Sequence, residues 1–136
     1  MLTDQEIAAL IDHALRAREC AYAPYSQFKV GAAVVDEQNR VFFGVNVENA
    51  SYGLSLCAER AAIAAAVTAG ASRLKAVVLV TEAKPPATPC GACRQWFAEF
   101  AGDDFQVIAA NTARQFRRYT LDDLLPAAFR LEKRKP

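Results

Sequence analysis

The stretch Leu74-Lys-Ala-Val-Val-Leu-Val80 constrains the fold more than any other part of this chain. A strand with one wet face alternates apolar and polar residues. A run this short and almost continuously apolar reads instead as a strand covered on both faces. The flanking sequence offers the covering helices. Thr3-Asp4-Gln5-Glu6 reads as a capping box, with Thr3 accepting the Glu6 N–H and Glu6 reaching back. Ile7, Leu10, Ile11, Ala14, Leu15 and Ala17 follow at helical spacing, which predicts a helix near 4–20. Leu56 to Ala69 reads as a second helix, with Ser55 as N-cap and Gly70 as terminator. A third runs from Thr88, as N-cap, and Pro89, at the first helical position, to about Ala101, stopping at Gly102. The stiff loop Lys84-Pro85-Pro86-Ala87 leads into it.

Strands fill the intervals. Phe28–Val35 and Val41–Val47 flank the turn-like Asp36-Glu37-Gln38-Asn39 and read as a hairpin. Phe105–Ala110 and Arg114–Thr120 read as two more strands, followed by a short helix at Leu121–Leu125. The order α-β-β-α-β-α-β-β-α predicts an α/β fold: a mixed five-stranded sheet with helices on both faces, in three layers. With 136 residues and no repeat or linker, a single domain over 1–136 is expected, its last residues from about 130 forming a solvated tail.

The formal charge of +1 gives no electrostatic argument for a nucleic acid or membrane partner. The acidic, polar start is unlike a signal peptide, and no apolar run is long enough to span a bilayer. A reducing cytosol is therefore expected, where four cysteines serve as metal ligands or buried thiols rather than as a disulfide frame. Cys90 and Cys93 form a C-x-x-C pair, and Cys57 opens another helix. Together they make the three protein ligands of a catalytic zinc site, which keeps its fourth corner open. Helix N-termini carry partial positive charge and stabilise thiolates. Three thiolates on Zn²⁺ still leave one excess negative charge, so Arg60 and Arg94 are expected to donate to the sulfurs. Glu59, two residues from Cys57, can address the open corner without being a ligand and is the candidate proton carrier. A structural zinc site or a redox dithiol would also explain the C-x-x-C pair alone. Cys20 and His13, the remaining cysteine and the sole histidine, read as a semi-buried helix thiol and a surface or half-buried helix residue. The helix 58–69 is nearly all alanine and aliphatic apart from Glu59, Arg60 and Thr68. Such a helix is buried all round, either at the centre of one domain or between subunits.

Five segments carry a resemblance. They are Tyr22-Ala-Pro-Tyr-Ser-Gln-Phe-Lys-Val-Gly-Ala-Ala33, Gly44-Val-Asn-Val-Glu-Asn-Ala-Ser-Tyr52, Cys57-Ala-Glu-Arg60, Pro89-Cys-Gly-Ala-Cys-Arg-Gln95 and Leu124-Leu-Pro-Ala-Ala-Phe129. In that order, over nearly the whole chain, they resemble the small homotetrameric zinc-dependent cytidine deaminases. The resemblance implies the cytidine-deaminase-like three-layer fold, one zinc per subunit and a free nucleoside substrate. It implies that Glu59 shuttles protons while activated water displaces ammonia from C4 of the pyrimidine, in pyrimidine salvage. It further implies that Asn46 and Glu48 bind the ribose hydroxyls, that Phe28 packs on the pyrimidine and that Ala58 contacts substrate. Ala50, Tyr52 and Phe129 would approach a neighbouring subunit's site. One departure is visible: family members often continue past the closing phenylalanine with Gly-Pro and acidic residues, whereas here Arg-Leu-Glu-Lys-Arg-Lys-Pro follows Phe129.

Three rivals are weighed against this reading. A deaminase of an antibiotic such as blasticidin S fits less well, because Asn46-Val-Glu48-Asn-Ala-Ser-Tyr52 looks built for ribose. A polynucleotide-editing deaminase conflicts with the short chain and near-neutral charge. A zinc-stabilised binding module predicts four protein ligands and no effect of Glu59 on function.

Overall fold

The structure is a computed structural model and describes residues 1–134. Its centre is the strand announced by the apolar run, β3 (Leu74–Thr81). β1 (Gly31–Asp36) pairs antiparallel with both β3 and β2 (Val41–Val45). β4 (Ala101–Asn111) lies parallel to β3, and β5 (Phe116–Thr120) closes the far edge, giving the order β2-β1-β3-β4-β5. Among the described residues the α-helices are α1 (Asp4–Arg18), α2 (Ala58–Thr68), α3 (Gly91–Phe100) and the one-turn α4 (Leu121–Leu124). The sheet's alternation sorts the core into two layers. Ala33, Val35, Ala76, Val78, Val80 and Ile108 pack with Ile7, Leu10, Ile11 and Ala14 of α1. Ala32, Val34, Val77, Leu79, Val107 and Ala109 pack with Ala62, Ile63, Phe97 and Leu121 from α2, α3 and α4. The expected three-layer α/β architecture is therefore present. Among the described residues no helix is long and apolar enough to cross a membrane.

Several boundaries differ from expectation. The predicted helix 4–20 stops at Arg18, with the Thr3/Glu6 capping box in place. Phe28–Val30 lies outside the first strand, because Asn46 rather than a strand partner satisfies its backbone. The N-caps of α2 and α3 are Cys57 and Cys90 rather than Ser55 and Thr88. α3 ends near Ala101 as expected, with Ala101 as its C-cap, but β4 opens there rather than at Phe105, and Ala101 pairs with Leu74 ahead of a register shift. The fifth strand begins at Phe116, not Arg114, whose φ of 65° breaks extension. The expected tail begins docked: Arg130 donates to the Ala98 carbonyl at 2.6 Å. Its last two residues, 135 and 136, lie outside the described residues.

The β1–β2 turn is fixed by Asp36, which is 2% exposed. Its Oδ1 accepts from the Gln38 and Arg40 N–H groups at 3.0 and 2.8 Å, and its Oδ2 from Arg40 Nε at 2.7 Å. Burial pushes its pKa up, but these donors, led by the Arg40 backbone, outweigh it and hold the carboxyl below its ordinary value. A depressed folded pKa adds stability above the unfolded value, and that stability is lost as pH falls through the folded one. Asp36→Asn is expected to cost about 1–3 kcal/mol at neutral pH. The gap from wild type should close in acid below the carboxyl's ordinary range, as read by denaturant unfolding across pH.

Gly44 sets how close α2 sits to the sheet. A Cβ there would come within 2.9 Å of Ala61 Cβ and closer still to the Ala58 carbonyl oxygen and the Ala62 nitrogen, which are backbone atoms. Gly44→Ala must therefore push the whole helix outward, at an expected cost of about 1–3 kcal/mol. Thermal unfolding should show a drop of several degrees. Because α2 begins at Cys57, bound metal measured on the same variant should fall as well.

Candidate active site and metal centre

The chain leaves β3 at Thr81 and returns through a loop to the start of α3, next to the start of α2. Two helix N-termini thereby meet. Cys57 is the N-cap of α2, Cys90 the N-cap of α3, and Cys93 sits in the first turn of α3. Neither N-cap side chain makes a capping hydrogen bond. An oxygen-bearing residue would cap more strongly, by about 1 kcal/mol. The thiols instead converge: the three Sγ atoms lie within 4.8 Å of one another, and those of Cys57 and Cys90 are 3.7 Å apart.

That spacing fits zinc. Tetrahedral Zn–S bonds of about 2.3 Å place sulfurs roughly 3.8 Å apart. Among the described residues no fourth His, Cys, Asp or Glu joins the cluster. The surrounding charges point the same way. Arg60 Nη2 donates to Cys57 Sγ at 3.3 Å, and its buried Nε has no partner among the described residues. A cation turned into a sulfur cluster with an N–H to spare suits a cluster that carries negative charge. The thiols already share one: hydrogen bonding from Cys93 holds Cys57 at about 5, against burial and with help from Arg60. Cys93, the donor in that pair and buried, is pushed up. Arg60 in turn is raised above its ordinary value, first by its bond to Cys57.

Arg94 departs from expectation. It donates to no sulfur. Its guanidinium turns to the Pro89 carbonyl (2.7 Å), the Leu124 carbonyl (2.8 Å) and Thr88 Oγ1 (3.1 Å). From the fourth residue of α3 the side chain leans back along the helix toward its N-terminus, where carbonyls outcompete thiols as acceptors.

Glu59, the second residue of α2, is 4% exposed. Burial raises its pKa to about 7, and the Cys57 thiolate adds to that, while its own backbone N–H pulls down. A carboxyl poised there can both take and give a proton near neutral pH. It lines a cavity of about 320 Å³ together with Cys57, Ala58, Cys90, Phe28, Asn46 and Glu48. A larger cleft of about 880 Å³ lies around Asp103, Asp122 and Arg118, away from the sulfurs.

Asn46 and Glu48 lie just past the end of β2, on either side of Val47, whose bridges to Tyr22 and Leu56 keep the chain extended. Their side chains thus share the cavity face. Asn46 also braces the wall: Oδ1 accepts from the Val30 N–H and Nδ2 donates to the Phe28 carbonyl, both at 2.8 Å. One N–H and one lone pair remain for a ligand. Glu48 accepts from the Tyr25 and Ser26 N–H groups at 3.0 and 3.1 Å and from the Ser26 hydroxyl. The Ser26 hydroxyl bond leads in holding its carboxyl below the ordinary range, against slight desolvation.

Sequence reasoning missed Ser26, Ser55, Thr81 and Thr88, which also line the cavity. Ser26 stands in the same motif as Phe28, two residues ahead of it, so a signal was present. Thr81 is marked only as the first polar residue after an apolar strand. Ala50, Tyr52 and Phe129 do not reach this cavity within one chain. All three are exposed, and Tyr52 lies edge-on to Tyr25 at 6.0 Å. Cys20 is exposed just past α1 rather than semi-buried, and half-buried His13 packs against Phe43 with the rings tilted by 39°.

Residues 4–109 match the family described as the cytidine and deoxycytidylate deaminase zinc-binding region. A cytidine deaminase of Halalkalibacterium halodurans is 46% identical over 123 residues, spanning 90% of this chain and 93% of that protein. The crystal structure of the cytidine deaminase from Burkholderia pseudomallei superposes with a TM-score of 0.86 at 48% identity, covering 94% of this chain and 100% of that one. The Mycobacterium tuberculosis cytidine deaminase structure gives 0.80 at 41% identity, with 96% and 100% covered. The three converging thiols are a possible site for the zinc that this family description names. The chain belongs to the zinc-binding cytidine and deoxycytidylate deaminase family.

Proposed function

We propose that this chain hydrolyses cytidine and deoxycytidine to uridine and deoxyuridine, releasing ammonia. The observation that carries the reading is Glu59, a buried carboxyl that lines the cavity, poised near neutrality beside three converging thiols. Cys57, Cys90 and Cys93 hold zinc, which when bound makes water nucleophilic near neutral pH. Glu59 takes a proton from the attacking water and delivers it to N3 of the pyrimidine, making C4 electrophilic. Oxygen bonds to C4. Glu59 then takes the proton of the new C4 hydroxyl and passes it to the exocyclic amine, the C4–N bond breaks, and ammonia leaves as the C4 carbonyl forms. Asn46 and Glu48 hold the ribose hydroxyls, one as mixed donor and acceptor and the other as acceptor only. Phe28 packs on the pyrimidine, and Ala58, at the start of α2, borders it.

The subunit works as a homotetramer in the cytoplasm, in pyrimidine salvage. Burial on one side only of α2 supports the assembly: Ala58, Ala62, Ile63 and Ala66 are buried, whereas Ala64, Ala65 and Val67 are exposed. A helix with an apolar open flank is half covered by its own domain and calls for a second body. The exposed Ala50, Tyr52 and Phe129 approach a neighbour's cavity in such an assembly.

Turnover in ¹⁸O-enriched water tests the reaction. One labelled oxygen in each uridine and one ammonia per turnover are expected; unlabelled product, or product without ammonia, would overturn hydrolytic deamination. Arg60→Gln separately tests the thiolate charge. Losing its bond to Cys57 leaves more negative charge on the sulfurs and weakens the metal's pull on water. The acid limb of the turnover profile should move to higher pH by on the order of one unit. An unchanged profile would count against a role for Arg60.

A further inference from the structure

Among the described residues the Arg94 side chain makes three hydrogen bonds and none goes to a thiol, although it follows Cys93 directly. Two hold the residues that precede Cys90: the Pro89 carbonyl and the Thr88 hydroxyl. The third crosses to the Leu124 carbonyl at the end of α4. Leu121 and Leu124 of α4 pack in the same core layer as Cys93 and Phe97. The next residue, Gln95, continues the stitching by donating to the Phe129 carbonyl at 2.8 Å, and Arg130 returns a bond to Ala98. The helix bearing two of the three thiols is thus tied along one side to residues 124–130.

The tie matters because the helix itself holds Cys90 only by its carbonyl, which accepts the Arg94 N–H at 3.0 Å. As an N-cap without a capping bond Cys90 does not anchor its own loop. Pro89, before it, has no N–H to donate. Its carbonyl is the group that must be held if Cys90 is to present its thiol to Cys57, and Arg94 Nε holds it at 2.7 Å. The planar fork reaches three acceptors in fixed directions, which a lysine cannot do.

We propose that Arg94 is a positioning residue for the metal loop, fixing Cys90 and the Thr88 wall of the cavity by bracing Thr88–Pro89 against α4. It acts by geometry, unlike Arg60, which touches a sulfur. The inference rests on the zinc reading above. Partners that orient metal ligands typically contribute about 10- to 100-fold in metal affinity.

The test compares wild type, Arg94→Ala and Thr88→Val by three measurements: zinc release into a chromogenic chelator, the unfolding temperature of the metal-free protein, and the visible spectrum of the cobalt-substituted form. Arg94→Ala should release zinc about 10- to 100-fold faster. Its metal-free unfolding temperature should fall by only a few degrees, and its cobalt spectrum should change. Thr88→Val, which removes one acceptor from an exposed residue, should speed release about fivefold, the worth of one hydrogen bond. Wild-type release rates in both variants would overturn the inference. So would faster release matched by an equal loss of metal-free stability, or Thr88→Val behaving as wild type where Arg94→Ala does not fold. A wild type that binds no zinc would overturn the functional reading as well, which separates the two failures.

Discussion

Glu59→Ala is expected to lower turnover of cytidine by at least about 10²–10⁴-fold while leaving one zinc per chain. The carboxyl is asked to move every proton in the reaction, and its neighbours at the site cannot replace it. Glu48 is engaged by Tyr25 and Ser26, the Asn46 amide does not titrate, and Arg60 has no proton to spare at any working pH. Removing Glu59 costs the fold little. Its pKa is raised because burial disfavours its charge, so the site is less comfortable with a carboxylate than with an apolar group. Unfolding temperature should therefore stay the same or rise. Glu59→Gln, which keeps shape and removes only the proton function, should lose activity to the same degree. Substantial residual turnover in either variant, with zinc retained, would remove Glu59 from its assigned role.

Taking the metal away is the second large effect. Chelation should abolish turnover and lower the unfolding temperature together, and added zinc should restore both. A ligand at 100 times its Kd adds about 2.7 kcal/mol to the folded state. The two helix N-termini give the physical reason: Cys57 and Cys90 sit where capping oxygens would normally be, so the metal ties together two helix starts that the protein alone leaves uncapped. Cys93→Ala should match metal-free wild type in both measurements and respond to neither chelator nor zinc. Cys93 is fully buried and its replacement is small, so the fold should survive. A Cys93→Ala protein that still binds one zinc and turns over would contradict the three-thiol site.

The parts of the fold that were legible in the sequence are those where one local rule acts alone. The Thr3/Glu6 capping box appears as written, and Leu74–Val80 becomes the strand buried on both faces. Legibility fails where chemistry displaces the ordinary residue. Ser55 and Thr88 look like better caps than Cys57 and Cys90, and by propensity they are, but the chain begins each helix on a thiol. The end of α3 near Ala101 was legible, but the start of β4 at the same place was not, because Gly102 reads as a break rather than as strand. Here it opens a strand where a Cβ would lie 2.7 Å from Glu37 Oε1 and 3.2 Å from the Leu74 carbonyl. Two side-chain directions were also out of reach. Adjacency to Cys93 suggested that Arg94 faces the sulfurs, but helical lean carries it to Pro89 and Leu124. Asn46 is expected from the resemblance to bind ribose, but that its amide also braces Phe28 and Val30 no spacing could reveal.

The most direct test of the central claim follows the ultraviolet absorbance of cytidine with purified, zinc-loaded protein, beside free cytosine and the Glu59→Ala variant. Loss of absorbance with cytidine, none with cytosine and none with the variant is the predicted result; it would establish the reaction, the need for ribose and the proton carrier at once. A folded, zinc-loaded protein that leaves cytidine unchanged would contradict the account.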